Sequence, residues 1–301
     1  MKIIVGTRGS KLALAQTNWV IDKLKKIHPE IEFETKITKT KGDLIQDISL
    51  DKIGDKGLFV KEIEQQLIDN KIDMAAHSMK DMPASLPEGL KFAGIPKRED
   101  FRDILVLKKG YFSIDDLPKG AKIATGSKRR KYQLLKYRPD LNIVPIRGNI
   151  DTRIRKIEDE NLDGIVLAAS GLLRAGLEDK ISCYIPKDIM LPAPAQGALA
   201  IEIRESDKDK EKIINSITDT KTETQILAER GLLDGINGSC HIPIGAYCEV
   251  NGENLTLTGL YGDEEGKKLI TKTIEGKTLD AREIGLQLAK LILREYECYE
   301  G

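Results

Sequence analysis

The first two hundred residues alternate short apolar runs with segments of helical periodicity. "KIIV" and "IDMAAHS" are typical of strands, "IEFETKI" alternates from Ile31 to Ile37, and "KLALAQTNWVIDKLKKI" and "FVKEIEQQLIDN" have helical spacing. Strands that alternate with helices predict βαβ units. The period of the first helix predicts one buried side, formed by Leu12, Trp19, Leu24 and Ile27.

The same order restarts near Ala121 and changes after Thr220. "AKIAT", "LNIVPI" and "GIVLAA" are typical of strands, and the segments "SKRRKYQLLKY" and "DTRIRKIEDEN" between them are helical. Past Thr220 the pattern predicts the helix "TETQILAERGLL", the strands "IGAYCEV", "NLTLTGLYG" and "KKLITKTIEG", and a last helix from about Leu279 to Glu297. This order predicts a separate α+β domain.

Proline and glycine in "GIPKRED" and "LPAPAQG" favour hinges between the domains. The expected fold class is therefore α/β, with two hinged doubly wound domains and a C-terminal α+β domain. The expected boundaries are 1–96 with a return segment 198–216, then 102–192, then 220–301.

Charge and cysteine content exclude several classes of protein. Lys and Arg total 48, as do Asp and Glu, so no overall basic field would draw the chain to nucleic acid. The sequence contains no apolar run long enough to span a membrane and no secretory signal pattern, which predicts a cytoplasmic protein. The four cysteines are scattered and lack zinc-type spacing, so we expect free thiols and no metal.

Two turns of similar composition follow the first strand of each α/β domain. "IIVGTRGSKLALAQ" and "KIATGSKRRKYQLL" both place a helix N-terminus beside basic side chains, an arrangement that favours anions. Simple helix capping by serine would explain either turn alone. Taken together, the two turns predict a cleft lined for anions. Neither has the spacing of a P-loop or of GxGxxG.

Basic side chains recur where predicted strands end, which is the ligand-binding edge of an open α/β sheet. Arginine suits carboxylates and phosphates because its planar fork donates two parallel hydrogen bonds. A ligand with several negative groups is therefore expected. The basic residues are Arg8, Lys80, Arg129, Arg130, Arg147, Arg153 and Arg174.

Asp81 lies among these cations, in "HSMKDMP". It could stabilise a developing positive centre on a substrate, or it could simply neutralise Lys80 and its neighbours. The lone His77 at the strand end is expected to be a structural residue whose ring bonds to neighbouring groups.

A series of motifs resembles the porphobilinogen deaminase family, whose enzymes are also called hydroxymethylbilane synthases. The series runs in order from Thr7 to Val250: "TRGS", "TKGD", "KGLFVKE", "HSMKDMP", "TGSKRR", "RGNIDTR", "GLLRAGL", "PAPAQGALAIE" and "NGSCHIPIGAYCEV". Small departures are Lys128 before the arginine pair, Asp55 in a segment that is often Gly-Gly-Lys-Gly, and "PAPAQG" in place of a Val-Gly version.

The resemblance implies a transferase that condenses four porphobilinogen molecules head to tail, releases ammonia each time and yields hydroxymethylbilane. It also implies that Cys240 carries a dipyrromethane cofactor through a thioether. The chemistry of the residues agrees, because a thiol attacks an electrophilic methylene-pyrrole readily and Gly238 leaves space for the adduct.

The resemblance assigns roles to the remaining site residues. Asp81 is expected to face pyrrole nitrogens and to stabilise the azafulvene cation that forms when ammonia leaves. The residues 42–57 are expected to form a lid, with Lys52, Lys56 and Phe59. Cofactor-binding roles fall on Lys80, Asp81, Thr125, Ser127, Arg129 and Arg130. Substrate-binding roles fall on Arg8, Ser10, Arg147, Arg153, Arg174 and Gln196.

Two alternative functions fit parts of the sequence. Cys240 and His241 suggest a cysteine hydrolase, but adjacent residues in an extended segment point to opposite sides and cannot easily pair as nucleophile and base. A two-domain anion-binding protein of the periplasmic type would have the same hinged lobes. Such a protein has no reason to modify Cys240. Nothing in the sequence requires a partner, so we expect a monomer.

Overall fold

The computed structural model describes residues 1–40, 60–83, 85–237 and 242–298. Contacts within the chain divide it into two compact units. The first unit is Met1–Glu99 with Ala198–Glu223, and the second is Asp100–Gly197 with Thr224–Gly301. None of the helices in these described ranges is long and apolar enough to cross a membrane.

The first unit has a mixed five-stranded sheet of order β2-β1-β3-β10-β4. β1 is parallel to β2 and β3, whereas β10 runs antiparallel to β3 and β4. Two parallel βα steps therefore bring the carboxyl ends of β1 and β3 to one edge. The strands are β1 (Lys2–Arg8), β2 (Glu32–Thr38), β3 (Met74–Ser78), β4 (Leu90–Phe92) and β10 (Leu199–Arg204).

Helices pack on both faces of this sheet: α1 (Lys11–Ile27), α2 (Lys61–Ile68) and α6 (Lys208–Asn215). Val20, Ile21 and Leu24 of α1 join a core with Ile3 and Met74 of the sheet.

The predicted buried side of α1 is partly wrong. The helix buries Gln16 and Thr17, whereas Ile27 is 50% exposed. The polar pair is buried because each side chain has a hydrogen-bond partner, namely Ser78 for Gln16 and Thr7 for Thr17.

The second unit contains another mixed five-stranded sheet, of order β7-β6-β8-β5-β9. β6 is parallel to β7 and β8, and β5 is antiparallel to β8 and β9. The hydrophobic pattern did not single out β5, which is buried throughout. The elements are β5 (Asp103–Leu107), β6 (Lys122–Ala124), β7 (Asn142–Val144), β8 (Gly164–Ala168) and β9 (Cys183–Tyr184), with helices α3 (Lys128–Tyr137), α4 (Ile150–Asp159) and α5 (Ala169–Arg174).

The C-terminal part of the chain forms an antiparallel meander of order β11-β12-β13, with helices packed on it. The predicted strands and the final helix are present, and the fold class of two α/β sheets followed by an α+β domain is confirmed. The three domain boundaries and the hinges stay predictions. The elements are α7 (Thr220–Gly235), β11 (Ile244–Asn251), β12 (Asn254–Gly262), β13 (Leu269–Lys277) and α8 (Ala281–Cys298).

Glycines allow α7 and α8 to approach each other closely. A Cβ atom on Gly285 would lie 2.2 Å from the carbonyl oxygen of Ala228, and one on Gly231 would lie 2.4 Å from that of Arg282. Both obstacles are backbone atoms, which cannot rotate away. The missing side chains are therefore a packing requirement of this helix pair.

We predict that Gly285→Ala lowers the free energy of unfolding by roughly 1–3 kcal/mol, the usual effect of overpacking a core. At an exposed helix position, replacing glycine by alanine would raise stability by about 1 kcal/mol. A loss of stability for Gly285→Ala would therefore show that the close approach of the two helices outweighs this preference. Urea denaturation measures it, with Gln287→Ala on the exposed side of α8 as the control. An increase in stability for Gly285→Ala would contradict the packing argument.

Candidate active site

In the first unit, the turn after β1 holds two of the predicted substrate-binding residues. Arg8 is the last residue of β1, and Ser10 caps α1 by accepting a hydrogen bond from the amide of Ala13 at 3.3 Å. Thr17 donates to the hydroxyl of Thr7 at 2.8 Å, which ties α1 to the strand. Capping therefore accounts for the serine, and Arg8 remains at the carboxyl end of a parallel strand.

The predicted catalytic carboxylate lies on a short 3₁₀ turn, Met79–Asp81, directly after β3. The amide of Met79 donates to the carbonyl of Ala198 at 3.0 Å, and Gln16 donates to the hydroxyl of Ser78 at 2.9 Å. Lys80 is half-buried, whereas Asp81 is exposed. The turn is thus anchored on both sides and presents an exposed carboxylate at the end of β3.

In the second unit, the equivalent turn precedes α3. Ser127 caps this helix by accepting from the amide of Arg130, and its own amide donates to the hydroxyl of Thr125 at 3.2 Å. Serine caps are therefore found in both turns. The cap places the predicted cofactor-binding residues Arg129 and Arg130 in the first turn of α3.

Arg129 and Arg130 are buried and share one carboxylate, Asp103 at the start of β5. Arg129 Nη1 donates to Asp103 Oδ2 at 2.7 Å, and Arg130 Nε donates to Oδ1 at 2.9 Å. The same guanidinium groups also reach the carbonyls of Leu191, at 2.6 Å, and Val166, at 3.0 Å. These contacts fix the orientation of both forks.

Burial alone would raise the pKa of the Asp103 carboxyl, but the two guanidinium charges outweigh burial and hold its pKa well below the ordinary value. Sequence reasoning missed Asp103. The available signal was an acidic residue at the start of the apolar run "DILVL", because a carboxylate beside a buried strand requires a charged partner.

Gln196 is fully buried and supports the same carboxylate. Its amide nitrogen donates to Asp103 Oδ1 at 3.0 Å and to the carbonyl of Phe101 at 2.8 Å. Both bonds engage the amide nitrogen with acceptors of the protein itself. The contact of Gln196 with substrate therefore stays a prediction.

The other predicted basic residues of the second unit follow β7 and β8. Arg153 Nε donates to the carbonyl of Gly148 at 2.6 Å, and Arg174 Nη2 donates to that of Gly197 at 2.7 Å. Arg147 differs, because its Nη1 atom is buried and has no hydrogen-bond partner within the part of the chain that the structure describes. A buried guanidinium nitrogen in that state is suited to an anionic ligand.

Several predicted residues lie outside the described ranges: Cys240, His241, Lys52, Lys56 and Phe59. Of the other thiols, Cys248 is buried in the core of the C-terminal meander and Cys298 is exposed. Burial raises the pKa of the half-buried Cys183 thiol, which lowers its reactivity. The cleft predicted between the α/β domains stays a prediction.

Among solved structures, the chain is similar to a periplasmic binding protein of Salmonella typhimurium with high arginine specificity. The TM-score is 0.41 at 17% identity, covering 74% of this chain and 93% of that one. A periplasmic domain of BvgS from Bordetella pertussis gives a TM-score of 0.42 at 14% identity, with 72% and 86% coverage.

Family models and curated relatives agree with each other. Residues 3–212 match the dipyrromethane cofactor binding domain of porphobilinogen deaminase, and residues 223–294 match its C-terminal domain. The chain is 69% identical to the porphobilinogen deaminase of Clostridioides difficile over 301 residues, all of both chains. It is 61% identical to that of Clostridium novyi over 298 residues, 98% of this chain and 99% of the relative. With matches of this extent over nearly its whole length, the chain belongs to the porphobilinogen deaminase family.

Proposed function

We propose that basic side chains at the strand ends hold a dipyrromethane cofactor and the lengthening product, while Asp81 assists the loss of ammonia. The reaction of this family condenses four porphobilinogen molecules head to tail, releases ammonia at each addition and gives hydroxymethylbilane for tetrapyrrole biosynthesis. Each porphobilinogen carries an acetate and a propionate. Every addition therefore brings two more carboxylates to be bound.

The donor set of the second unit fits the carboxylates of such a cofactor. The hydrogen bonds of Arg129 with described residues all use Nη1, so the rest of its fork is available to a ligand. The Nη1 atom of Arg147, which is buried and has no hydrogen-bond partner in the described ranges, supports the same conclusion. In this proposal the cofactor carboxylates are held by Lys80, Thr125, Ser127, Arg129 and Arg130.

The cofactor is attached to Cys240 through a thioether in this proposal, and it supplies the pyrrole ring to which the first porphobilinogen is joined. Cys240 falls within the motif "NGSCHIPIG" that precedes β11. The three thiols in the described ranges fit the role less well, because Cys248 lies in an apolar core and Cys183 and Cys298 belong to no family motif.

Asp81 is the proposed catalytic residue. As ammonia leaves porphobilinogen, positive charge develops on the pyrrole, and a fixed carboxylate stabilises that charge. Its exposure on an anchored turn supports this role, because the carboxylate can reach a ligand while its backbone is held by Met79 and Ser78.

The incoming unit and the growing chain are assigned to Arg8, Ser10, Arg147, Arg153, Arg174 and Gln196, and the lid to Lys52, Lys56 and Phe59. The proposal also includes a cytoplasmic monomer that binds neither nucleic acid nor membrane, in keeping with a net charge of zero. Membership of an enzyme family disfavours the alternative of a periplasmic-type binding protein.

The observation that carries the proposal is the pair of arginines preorganised by Asp103 at the start of α3. We predict that Asp103→Asn lowers the free energy of unfolding by about 3–5 kcal/mol, because it leaves two buried guanidinium groups without their counter-charge. Guanidinium chloride denaturation measures this loss. The purified variant is also expected to carry no cofactor.

The pH dependence of this contribution follows from the lowered pKa of Asp103. The stabilisation is fully present above the unfolded pKa of about 3.8 and is lost only as the pH falls toward the lower folded pKa. The difference between wild type and Asp103→Asn should therefore be constant from pH 6 to 8. Asp179→Asn, which removes the exposed partner of Lys180, is the control and should have a small effect. Equal stability of wild type and Asp103→Asn would contradict the proposed arrangement.

A second prediction concerns the mass of the intact protein. Active wild type should exceed its sequence mass by two linked pyrrole units, and a limited supply of porphobilinogen should add further units in discrete steps. Cys240→Ser should lose the adduct, because a hydroxyl is a far poorer nucleophile at neutral pH than a partly ionised thiol. Cys298→Ser, which alters an exposed thiol, should keep it. An active wild-type protein with the bare sequence mass would refute cofactor attachment.

A third prediction separates catalysis from cofactor binding. Asp81→Asn keeps the size of the side chain but removes its charge, so kcat should fall roughly a hundredfold or more while the cofactor is retained. Single-turnover kinetics and intact mass measure the two effects. Asp22→Asn, at an exposed position on α1, should behave as wild type. Turnover of Asp81→Asn near the wild-type rate would show that Asp81 is only a structural counter-charge.

A further inference from the structure

Three ionisable side chains are buried together between α2 and the first sheet. Glu64 lies on α2, His77 on β3 and Glu202 on β10, with exposed fractions of 6%, 7% and 0%. His77 Nε2 lies 3.1 Å from Glu202 Oε2, a hydrogen-bond distance. None of the three is a predicted site residue, and such a cluster is costly to bury unless it has a function or a full set of partners.

Two oxygen atoms of this cluster lack hydrogen bonds to the described residues. Oε1 of Glu64 and Oε1 of Glu202 are both buried without a hydrogen-bond partner in the described part of the chain. Two carboxyl groups thus face one imidazole, so full ionisation would leave an excess negative charge in the interior. A proton on one carboxyl removes that excess.

Glu64 is the carboxyl that keeps a proton most readily. Burial is the main cause that raises its pKa to about 7, and the charge of Glu202 adds to it, whereas His77 and Lys61 act in the opposite direction. Arg204, two residues beyond Glu202 on β10, binds the carbonyls of Leu67 and Ile72. Arg8 ends β1, which also packs against α2, and β4 contributes the apolar Leu90 to that side.

The cluster is directly connected to the turn that carries Asp81. His77 and Ala200 are paired residues of β3 and β10, so the bond from His77 to Glu202 joins the two strands diagonally. Two residues beyond His77, the amide of Met79 donates to the carbonyl of Ala198, and Asp81 follows on the same short turn. The cluster and the hydrogen bond that holds the turn therefore lie on the same pair of strands, β3 and β10.

We infer that Glu64, His77 and Glu202 are positioning residues: the proton that one carboxyl of this buried cluster keeps holds α2 on the sheet and fixes the turn that presents Asp81. The inference rests on the proposed role of Asp81. Loss of the proton leaves a net negative charge in the interior, which weakens the seating of α2 and loosens the end of β3.

The sign of the pH effect follows from the raised pKa of Glu64. Its contribution to stability is fully present below the unfolded value of 4.5 and is lost as the pH rises through about 7. For a pKa of about 7, the protonated fraction falls from about nine-tenths at pH 6 to about one-tenth at pH 8.

The first experiment replaces Glu64 by its neutral isostere, Glu64→Gln, in the cofactor-loaded enzyme. The ratio of its kcat to that of wild type should rise between pH 6 and 8 by up to roughly tenfold, with KM little changed. Its Tm relative to wild type should rise over the same range. Glu205→Gln, at an exposed position just past β10, should give a flat ratio. A flat ratio for Glu64→Gln as well would overturn the inference.

A double-mutant cycle tests whether the cluster acts through Asp81. Glu202→Gln should lower kcat about tenfold in wild type but by less than twofold in the Asp81→Asn background, because the turn then carries no charge to position. Equal losses in both backgrounds would show general structural damage and would overturn the inference. If Asp81→Asn alone were fully active, the proposed function would fail instead, so the two failures are distinguishable.

Discussion

The buried charge of Asp103 is the constraint on which the second unit depends. A carboxylate at the head of a fully buried strand is stable only with cations beside it, and Arg129 and Arg130 supply them from the first turn of α3. The same contacts restrict the conformations of both arginine side chains, so their guanidinium groups are already oriented before a ligand binds. Gln196 and the carbonyls of Leu191 and Val166 complete this arrangement. Stability and anion recognition thus come from one set of bonds.

The first unit balances its buried charge differently. In the second unit one carboxylate faces two guanidinium groups, whose charges keep the pKa of Asp103 well below its ordinary value, so this carboxyl stays ionised near neutral pH. In the first unit two carboxyls face one imidazole, and Glu64, with a pKa of about 7, exchanges a proton in the physiological range. Each cluster holds proposed site residues in place: Asp103 orients Arg129 and Arg130 in one unit, and the other cluster lies on the strands that hold the turn of Asp81. The fixed arginines of the second unit are therefore suited to binding anions. The titratable cluster of the first unit is suited to controlling the position of the Asp81 carboxylate.

Predictions from hydrophobic pattern succeeded where local sequence decides the outcome. Serine at the start of a periodic segment predicted the caps of α1 and α3, and alternation predicted the strands of the C-terminal meander. They failed where the partner is distant in sequence. The buried side of α1 includes Gln16, because Ser78 satisfies its amide from 62 residues away. β5 was missed, and Asp103 with it, because a short apolar run reveals neither its direction nor its neighbours.

The sequence by itself determined the family, the order of strands and helices, and the placement of basic residues after strands, because each is written in local residue order. Only the tertiary structure decided that Arg129 and Arg130 share Asp103 and that Glu64 is buried near His77 and Glu202. It also decided that Nη1 of Arg147 is buried with no hydrogen-bond partner among the described residues. The physical reason is that the pKa of a buried group and its contribution to stability depend on its burial and on its partners. Those are fixed when strands far apart in the chain pair side by side.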